Sequence, residues 1–452
     1  MTHDLTLLIE QIIATCTDKA IWVAYSGGVD SHVLLHLLAN SDQVSSQRLH
    51  AIHIDHGLHS DSAQWAEHCA QTAKALGVDF RCVEVEVTDI DAKGLEAAAR
   101  DARYQAIAAQ LSKDDVVFTA QHQNDQAETL LLQLLRGAGP KGLSAMADSA
   151  LLGETRIQRP FLSFAQSDIK AYAERHQLRW IEDPSNGDNQ FNRNYLRHQV
   201  WPVITQRWPS ASATLSRSAQ HCAEADSLLS ELAELDLAVL ADSGLSDWSG
   251  LAVMPDELCL PVEGLLSLSR ARCRNLLRYF IAYHQWVLPA AVILQSIIDD
   301  VCLAAVDSVP MVSWSGIEVR RYQGKIYFSR PMPAHDASQS FVCHGPDELT
   351  LSDQCCITWL SVEKLGISQA LFDDGLRIGF RQGGERIQLQ GHQHHKSLKQ
   401  LCQEWAIPPW QRDRIPLLFH ADELIAVVGY GLSEQCVLAP GQQGYLPMIK
   451  PA

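Results

Sequence analysis

Ile21-Trp22-Val23-Ala24-Tyr25-Ser26-Gly27-Gly28-Val29-Asp30-Ser31 is the stretch whose reading decides the fold of the N-terminal half. Its apolar beginning, Ile21 to Tyr25, runs into a glycine pair, and a leucine-rich segment, His32 to Ala39, follows. That order predicts a strand, a tight turn and a helix. Gly27 and Gly28 allow a sharp turn and a close approach to a ligand. The first N–H groups of a helix have no partner within it, and they favour an anion. Ser26 and Ser31 add hydroxyl donors. Asp30 would repel a bare phosphate but suits one bridged by Mg²⁺. Ser26, Gly27, Gly28, Val29, Asp30 and Ser31 are therefore expected to form a pyrophosphate site, with Asp30 as a metal ligand.

A Walker-type loop would need a lysine after its last glycine and a wider glycine spacing, so that reading fails. The dinucleotide-binding fingerprint fails as well. The run resembles the SGGxDS signature of the PP-loop ATP pyrophosphatase superfamily. Such enzymes split ATP between the α and β phosphates and use AMP as an activating group.

Working outward, the first 200 residues alternate strand and helix patterns. Strands are expected at Leu49 to Ile54, Phe80 to Val87 and Val116 to Ala120. Helices are expected at Ser62 to Leu76, Leu95 to Leu111 and Asn124 to Leu135. Ser163 and Gln166 read as a capping box before a helix ending near His176. The alternation predicts an α/β domain with a parallel sheet, whose ligands belong at the carboxyl ends of its strands. Ser210 to Leu240 changes character and reads as one long helix. Leu265 to Tyr283 and Val292 to Val301 follow as helices, closed by a strand-like piece from Val312 to Phe328. A polar linker, Pro331 to Ser340, leads to a mixture of short strands with one clear helix, Leu398 to Trp405. Three domains are expected: an α/β one at 1–215, which the PP-loop resemblance implies is catalytic, a mainly helical one at 216–330, and a small α+β one at 341–452.

The composition fits this division. A chain of 452 residues, 46% apolar and 20% charged, has ample core material for two or three domains. The first residues carry Asp4 and Glu10 without a basic cluster, unlike a secretory signal. The longest apolar stretch, Trp286 to Ile298, is broken by Gln295 and too short for a bilayer. A cytoplasmic protein without membrane contact is expected. Twelve cysteines lie scattered without a CxxC pair, which predicts isolated thiols in a reducing compartment. A net charge of −17 argues against a generic nucleic-acid binder, but it leaves room for local basic patches.

Two further turns should meet the glycine turn at the sheet edge. One is His53-Ile54-Asp55-His56-Gly57-Leu58, and the other is Thr119 to Thr129. His53, His56 and His59 invite a zinc reading. In an extended segment, however, His53 and His56 point to opposite faces, so rim histidines bonded to ligand or backbone are the better expectation. His53 is accordingly a nucleotide-site candidate.

Across nearly its whole length the chain resembles the tRNA(Ile)-lysidine synthase family. The resemblance rests on Ser26 to Ser31, His53 to Leu58, Leu95 to Tyr104, Ala120 to Met146, Arg159 to Leu162 and Trp180 to Val200. It continues in Arg381 to Arg386, Lys396 to Phe419 and Leu424 to Glu434. The resemblance implies an N-terminal PP-loop domain that is adenine nucleotide α-hydrolase-like. It also implies an ATP-dependent ligase that joins L-lysine to carbon 2 of the wobble cytidine of tRNA(Ile) with a CAU anticodon. The middle and C-terminal domains would hold the tRNA, and a homodimer stays open. The chemistry is coherent with the residues. AMP transferred to the cytidine oxygen makes it leave readily, and the expelled pyrophosphate suits the glycine turn. Mg²⁺ between Asp30 and a second carboxylate would neutralise the phosphates, and Asp125 is expected to supply that carboxylate. Asp55 is a weaker candidate for handling the lysine ammonium.

One departure stands out. The family usually has two aspartates in its HxDDQxET turn, and here the first is Asn124. Arg193, Asn194 and Arg197 form a polar group that the resemblance places near ATP phosphates or tRNA, with Arg193 as a catalytic candidate. Arg100 and Arg103, Arg270 to Arg278, and Lys396, Lys399, Arg412 and Arg414 are the basic candidates for RNA contact. A tRNA thiolase shares the adenylation step, but CxxC pairs mark many thiolases and this chain has none. An NAD or GMP synthetase would leave the C-terminal half unexplained. A non-catalytic RNA-binding protein would not need Asp30 beside a phosphate turn.

Overall fold

The computed structural model describes residues 5–16, 19–57, 59–88, 94–242, 258–305, 308–352 and 355–450. Leu58 of the second rim turn lies outside the described residues. The chain divides into two compact units, Met1–Leu228 and Leu229–Ala452, with the boundary inside the helix Ala211–Asp242.

The first unit is built on a six-stranded sheet in the order β3-β2-β1-β4-β6-β5. The strands are β1 (Ile21–Ala24), β2 (Leu49–Asp55), β3 (Asp79–Glu84), β4 (Val116–Phe118), β5 (Ser149–Leu152) and β6 (Thr155–Gln158). All neighbours pair in parallel except the edge hairpin β5–β6. Central β1 is buried on both faces, as a parallel strand between helices must be. Ile21, Val23 and Tyr25 pack into one core with Leu34, Leu38 and Ile169. Trp22 faces the other, with Ile52, Ile107, Val117 and Ile157. The expected α/β domain is thus present, with its parallel strands feeding helices at one edge.

Three local expectations need correction. The edge hairpin β5–β6 was not foreseen, because β5 alternates exposed and half-buried residues and lacks a strong apolar signal. Ser163 does not cap the helix Gln166–Arg175; it ends the 3₁₀ turn Pro160–Ser163, and Ala165 is the N-cap. The expected helix Leu265 to Tyr283 is two helices, Val262–Ser267 and Arg270–Tyr283. Leu268 is extended there, and the Ser269 hydroxyl accepts a hydrogen bond from the Arg272 N–H at 3.3 Å, restarting the helix.

In the second unit, β7 (Leu258–Pro261) joins β8 (Met311–Trp314), β9 (Ile317–Tyr322) and β10 (Lys325–Ser329) in an antiparallel sheet ordered β7-β10-β9-β8. The strand-like piece after the helices is therefore a three-strand meander. Phe280, Leu276, Trp314 and Phe328 fill the core between sheet and helices. Beyond the linker lie a five-stranded and a four-stranded sheet and the helix Leu398–Glu404, which is capped by the Ser397 hydroxyl. Among the described residues no helix is long and apolar enough to cross a membrane.

Candidate active site

Gly27 sits at φ +83°, a conformation that disfavours any side chain. A Cβ there would also lie 2.7 Å from Ile181 Cδ1 and 2.9 Å from Cys69 Sγ. Its carbonyl accepts the Ile181 N–H at 2.9 Å. Gly28 is the N-cap of the helix Val29–Ala39 and supplies no side chain to it. The first N–H groups of that helix are left to a ligand. Ser31 closes the turn: its hydroxyl donates to the Gly28 carbonyl at 3.0 Å and accepts the Ser26 N–H at 3.3 Å. The Ser26 hydroxyl lies 3.1 Å from it.

Asp30 Oδ2 lies 3.7 Å from His122 Nε2, while Oδ1 is buried without a hydrogen-bond partner. Burial pushes the Asp30 carboxyl above its ordinary value; His122 pulls it down and Asp125 pushes it up again. A buried carboxylate oxygen left without a partner, at the mouth of a turn with uncapped helix N–H groups, fits a divalent cation. No group of three His, Cys, Asp or Glu side chains able to hold a metal exists among the described residues, His53, His56 and His59 included. Mg²⁺ needs no such cage, since one or two carboxylates with substrate phosphates suffice.

The helix Gln123–Leu135 brings the third turn to the same place. His122 is its N-cap. Its Nδ1 accepts the Asp125 N–H at 3.4 Å, and Asp125 Oδ2 accepts the His122 N–H at 3.0 Å. The other ring nitrogen, Nε2, faces Asp30. Asn124 is turned elsewhere: its Oδ1 accepts the Gln166 N–H at 3.2 Å and so caps the neighbouring helix.

Glu128, which sequence reasoning passed over, is the most buried carboxylate of the cluster, 2% exposed. Arg197 grips it with Nε to Oε1 and Nη2 to Oε2, both at 2.8 Å. Arg193 Nε donates to Oε2 at 2.9 Å. Both arginines also reach Asp125 Oδ1, Arg193 at 3.4 Å and Arg197 at 3.2 Å. The signal was present in the spacing. Asp125 and Glu128 are three apart on one helix, and Arg193 and Arg197 are four apart on the other segment, so each pair shares a face. Two carboxylates, Asp125 and Glu128, meet two guanidiniums here, and Asp30 stands beside them across His122. Asn194 donates to the Asp188 carbonyl at 3.0 Å and braces its own loop.

His53 Nδ1 lies 2.9 Å from the Tyr25 carbonyl, and burial holds its pKa low. His56 accepts from Arg103 Nε at 3.4 Å; burial first and Arg103 second lower its pKa to about 4. His59 stacks on Trp65. Beside these rim residues, Asp55, His56, Glu84 and Glu86 line a cavity of about 530 Å³ at the carboxyl ends of β2 and β3. Arg100 lies over the Tyr104 ring.

The basic candidates in the second unit are mostly engaged at home. Arg272 pairs with the buried Asp236, and Arg270 with Asp299 at 3.3 Å. Arg274 donates to Gln295 at 3.3 Å. Lys396 pairs with Glu404 at 2.8 Å, Arg412 donates to the Tyr322 hydroxyl at 2.8 Å, and Arg414 bonds the Pro333 carbonyl.

Comparison with known proteins gives a consistent pattern. Residues 1–204 match the PP-loop domain family, 260–327 the TilS substrate binding domain, and 376–448 the TilS substrate C-terminal domain. A tRNA(Ile)-lysidine synthase from Coxiella burnetii is 42% identical over 94% of this chain and 92% of its own. Those from Alkalilimnicola ehrlichii and Pectobacterium atrosepticum are 41% and 40% identical, each over 93% of this chain and over 91% and 93% of theirs.

Proposed function

The chain belongs to the tRNA(Ile)-lysidine synthase family, and from that premise we propose how its own residues carry the reaction. The activity is an ATP-dependent ligation of L-lysine to the wobble cytidine of tRNA(Ile). In our reading the cytidine O2 attacks the α-phosphorus of ATP, and pyrophosphate leaves. The lysine side-chain amine, as the free base, then adds to carbon 2. AMP departs with the O2 oxygen, and the amine loses its proton.

Ser26, Gly27, Gly28, Val29 and Ser31 hold the departing pyrophosphate through the open N–H groups at the helix start. Asp30 and Asp125 are the residues to hold Mg²⁺, which neutralises phosphate charge when bound. The single observation that carries this is the buried, unpartnered Oδ1 of Asp30. Arg193 and Arg197 fix Asp125 and Glu128, and Arg193 offers cationic charge to the α-phosphate. His53, bonded to the Tyr25 carbonyl, shapes the nucleotide rim. Asp55, with Glu84 and Glu86 beside it, receives the lysine ammonium in the rim cavity. We assign catalysis to residues 1–215 and tRNA selection to 216–330 and 341–452. The cytoplasm is the compartment this reading implies.

The test is direct. Incubated with ATP, Mg²⁺, labelled lysine and tRNA(Ile) with a CAU anticodon, the chain attaches label to the wobble cytidine and releases AMP. Elongator tRNA(Met), which shares the anticodon, is nearly unmodified. ATP turnover without lysine incorporation would overturn the assignment.

A further inference from the structure

Between the helix Gln123–Leu135 and strand β5 the chain makes a glycine-rich excursion, Arg136-Gly137-Ala138-Gly139-Pro140-Lys141-Gly142-Leu143-Ser144-Ala145-Met146. Nothing in the reaction chemistry above uses it. It is nonetheless a built object. Gly137 is at φ +71°, and Ala145 at φ +54° occupies a region that few non-glycine residues enter. A Cβ on Gly142 would lie 2.6 Å from the Ala138 Cβ.

Its far end is clamped twice. Gln126, buried, donates to the Met146 carbonyl at 2.7 Å and accepts the Met146 N–H at 2.8 Å. Arg159 donates from its guanidinium to the Ala147 carbonyl at 2.7 Å, and its own N–H bonds the Asp148 carbonyl at 2.8 Å. Gln126 lies one residue beyond Asp125, so the clamp and the reacting centre share one helix. Despite this rigid footing the excursion is open to solvent. Arg136 and Lys141 are exposed, and Leu134 and Leu135 just before them are 56% and 80% exposed.

We propose that Arg136 and Lys141 form a phosphate-binding clamp for the anticodon arm of the tRNA, and that Gln126 is the residue that positions it. The inference rests on the family reaction stated above. From Asp125 to Leu135 the helix runs about 15 Å at 1.5 Å per residue, a distance spanned by a few nucleotides. A loop whose wobble base enters the site must run its neighbours past such a distance. Two cations beside exposed apolar area suit splayed nucleotides, which present phosphates and base faces together. A preformed clamp loses little freedom on binding.

The experiment uses the full chain carrying Arg136→Ala and Lys141→Ala together. Affinity for tRNA(Ile) is measured over a salt series, with hydroxyl-radical footprints of the bound tRNA. Affinity should fall about tenfold, and the slope of log K against log salt should shrink by about 1.4, for two phosphates at ~0.7 each. Protection should vanish in the anticodon arm and persist elsewhere, with ATP affinity within twofold of wild type. An unchanged slope and an unchanged anticodon-arm footprint would overturn the proposal. Gln126→Leu removes both clamp bonds, and Gln126→Glu keeps only the acceptor for the Met146 N–H. KM for tRNA should rise in the order wild type, Glu, Leu. The Leu defect should also not add to that of the double variant, because both abolish one contact. Full additivity would reject Gln126 as the positioning residue. If the wild-type chain attaches no lysine, the reading beneath the proposal fails; if it does and the variants bind tRNA normally, only the proposal fails.

Discussion

The glycine turn and the arginine-bearing helix Arg270–Tyr283 both stand out in the sequence as charged features, yet the structure treats them oppositely. In the turn the polar groups are left open: helix N–H groups without a capping side chain, and an Asp30 oxygen with no partner. In the helix the charges are mostly answered from within, Arg270 by Asp299, Arg272 by Asp236 and Arg274 by Gln295. A folded chain leaves a buried polar group unmatched only at a cost, so an unmatched carboxylate oxygen beside open helix N–H groups marks a candidate site. A run of arginines by itself points to nothing until its partners are known.

The sharpest way to break this contrast is Asp30→Asn. Pyrophosphate release with saturating tRNA and Mg²⁺ should fall on the order of a thousandfold, the scale of losing a main electrostatic contributor. Near-normal release would remove Asp30 from the mechanism. Glu128→Gln comes next. It leaves Asp125 as the one carboxylate between two half-buried guanidiniums, which costs about 3 kcal/mol of stability, and lets Asp125 shift toward them. Denaturant unfolding of the variant measures the first effect and single-turnover adenylation the second; an unchanged unfolding midpoint would show that the cluster is not a stabilising unit.

Arg272→Ala should act on stability more than on RNA. Its partner Asp236 is 2% exposed and would be stranded. The expected result is a lower melting temperature with tRNA affinity within a few-fold of wild type; the reverse would return this helix to the RNA interface. The smallest effect concerns pH. Burial raises the Asp30 pKa above its ordinary 3.8, so the folded state holds that proton more tightly than the unfolded chain. The associated stability is complete below the unfolded value and is lost as pH rises through the folded one. Asp30→Asn, which never ionises, should therefore melt a few degrees higher than wild type at pH 7, and the gap should close below about pH 3.8. Saturating Mg²⁺ and ATP should also narrow it, by stabilising the wild type more than the variant.

Legibility followed sequence distance. Ser26 to Ser31 could be read because the turn is made by neighbours, and the strand and helix around it carry strong apolar patterns. Parallel pairing of β1 to β4 followed from the alternation of elements. The grip of Arg193 and Arg197 on Glu128 spans 65 and 69 residues; the spacing put each pair on one face, but no local pattern announces that two faces so far apart in the chain meet. Asn124 illustrates a subtler limit. Its departure from the usual aspartate was visible, but only the fold reveals that its oxygen caps the helix beginning at Gln166. Ser269 was missed because Leu265, Cys273 and Leu276 keep helical spacing across it, and a cap leaves no mark on that spacing.

Gly27 has a mechanical consequence. It presses a bare backbone against Ile181 and holds that residue's N–H, so two segments some 150 residues apart are joined at one point. Ile181 opens the stretch that runs on to Arg193 and Arg197. Glycine turn and guanidinium brace therefore form the two arms of one short lever, with Gly27 as its fulcrum. Even a methyl group at that fulcrum would set the arms at a new angle, without changing any side chain of the site itself.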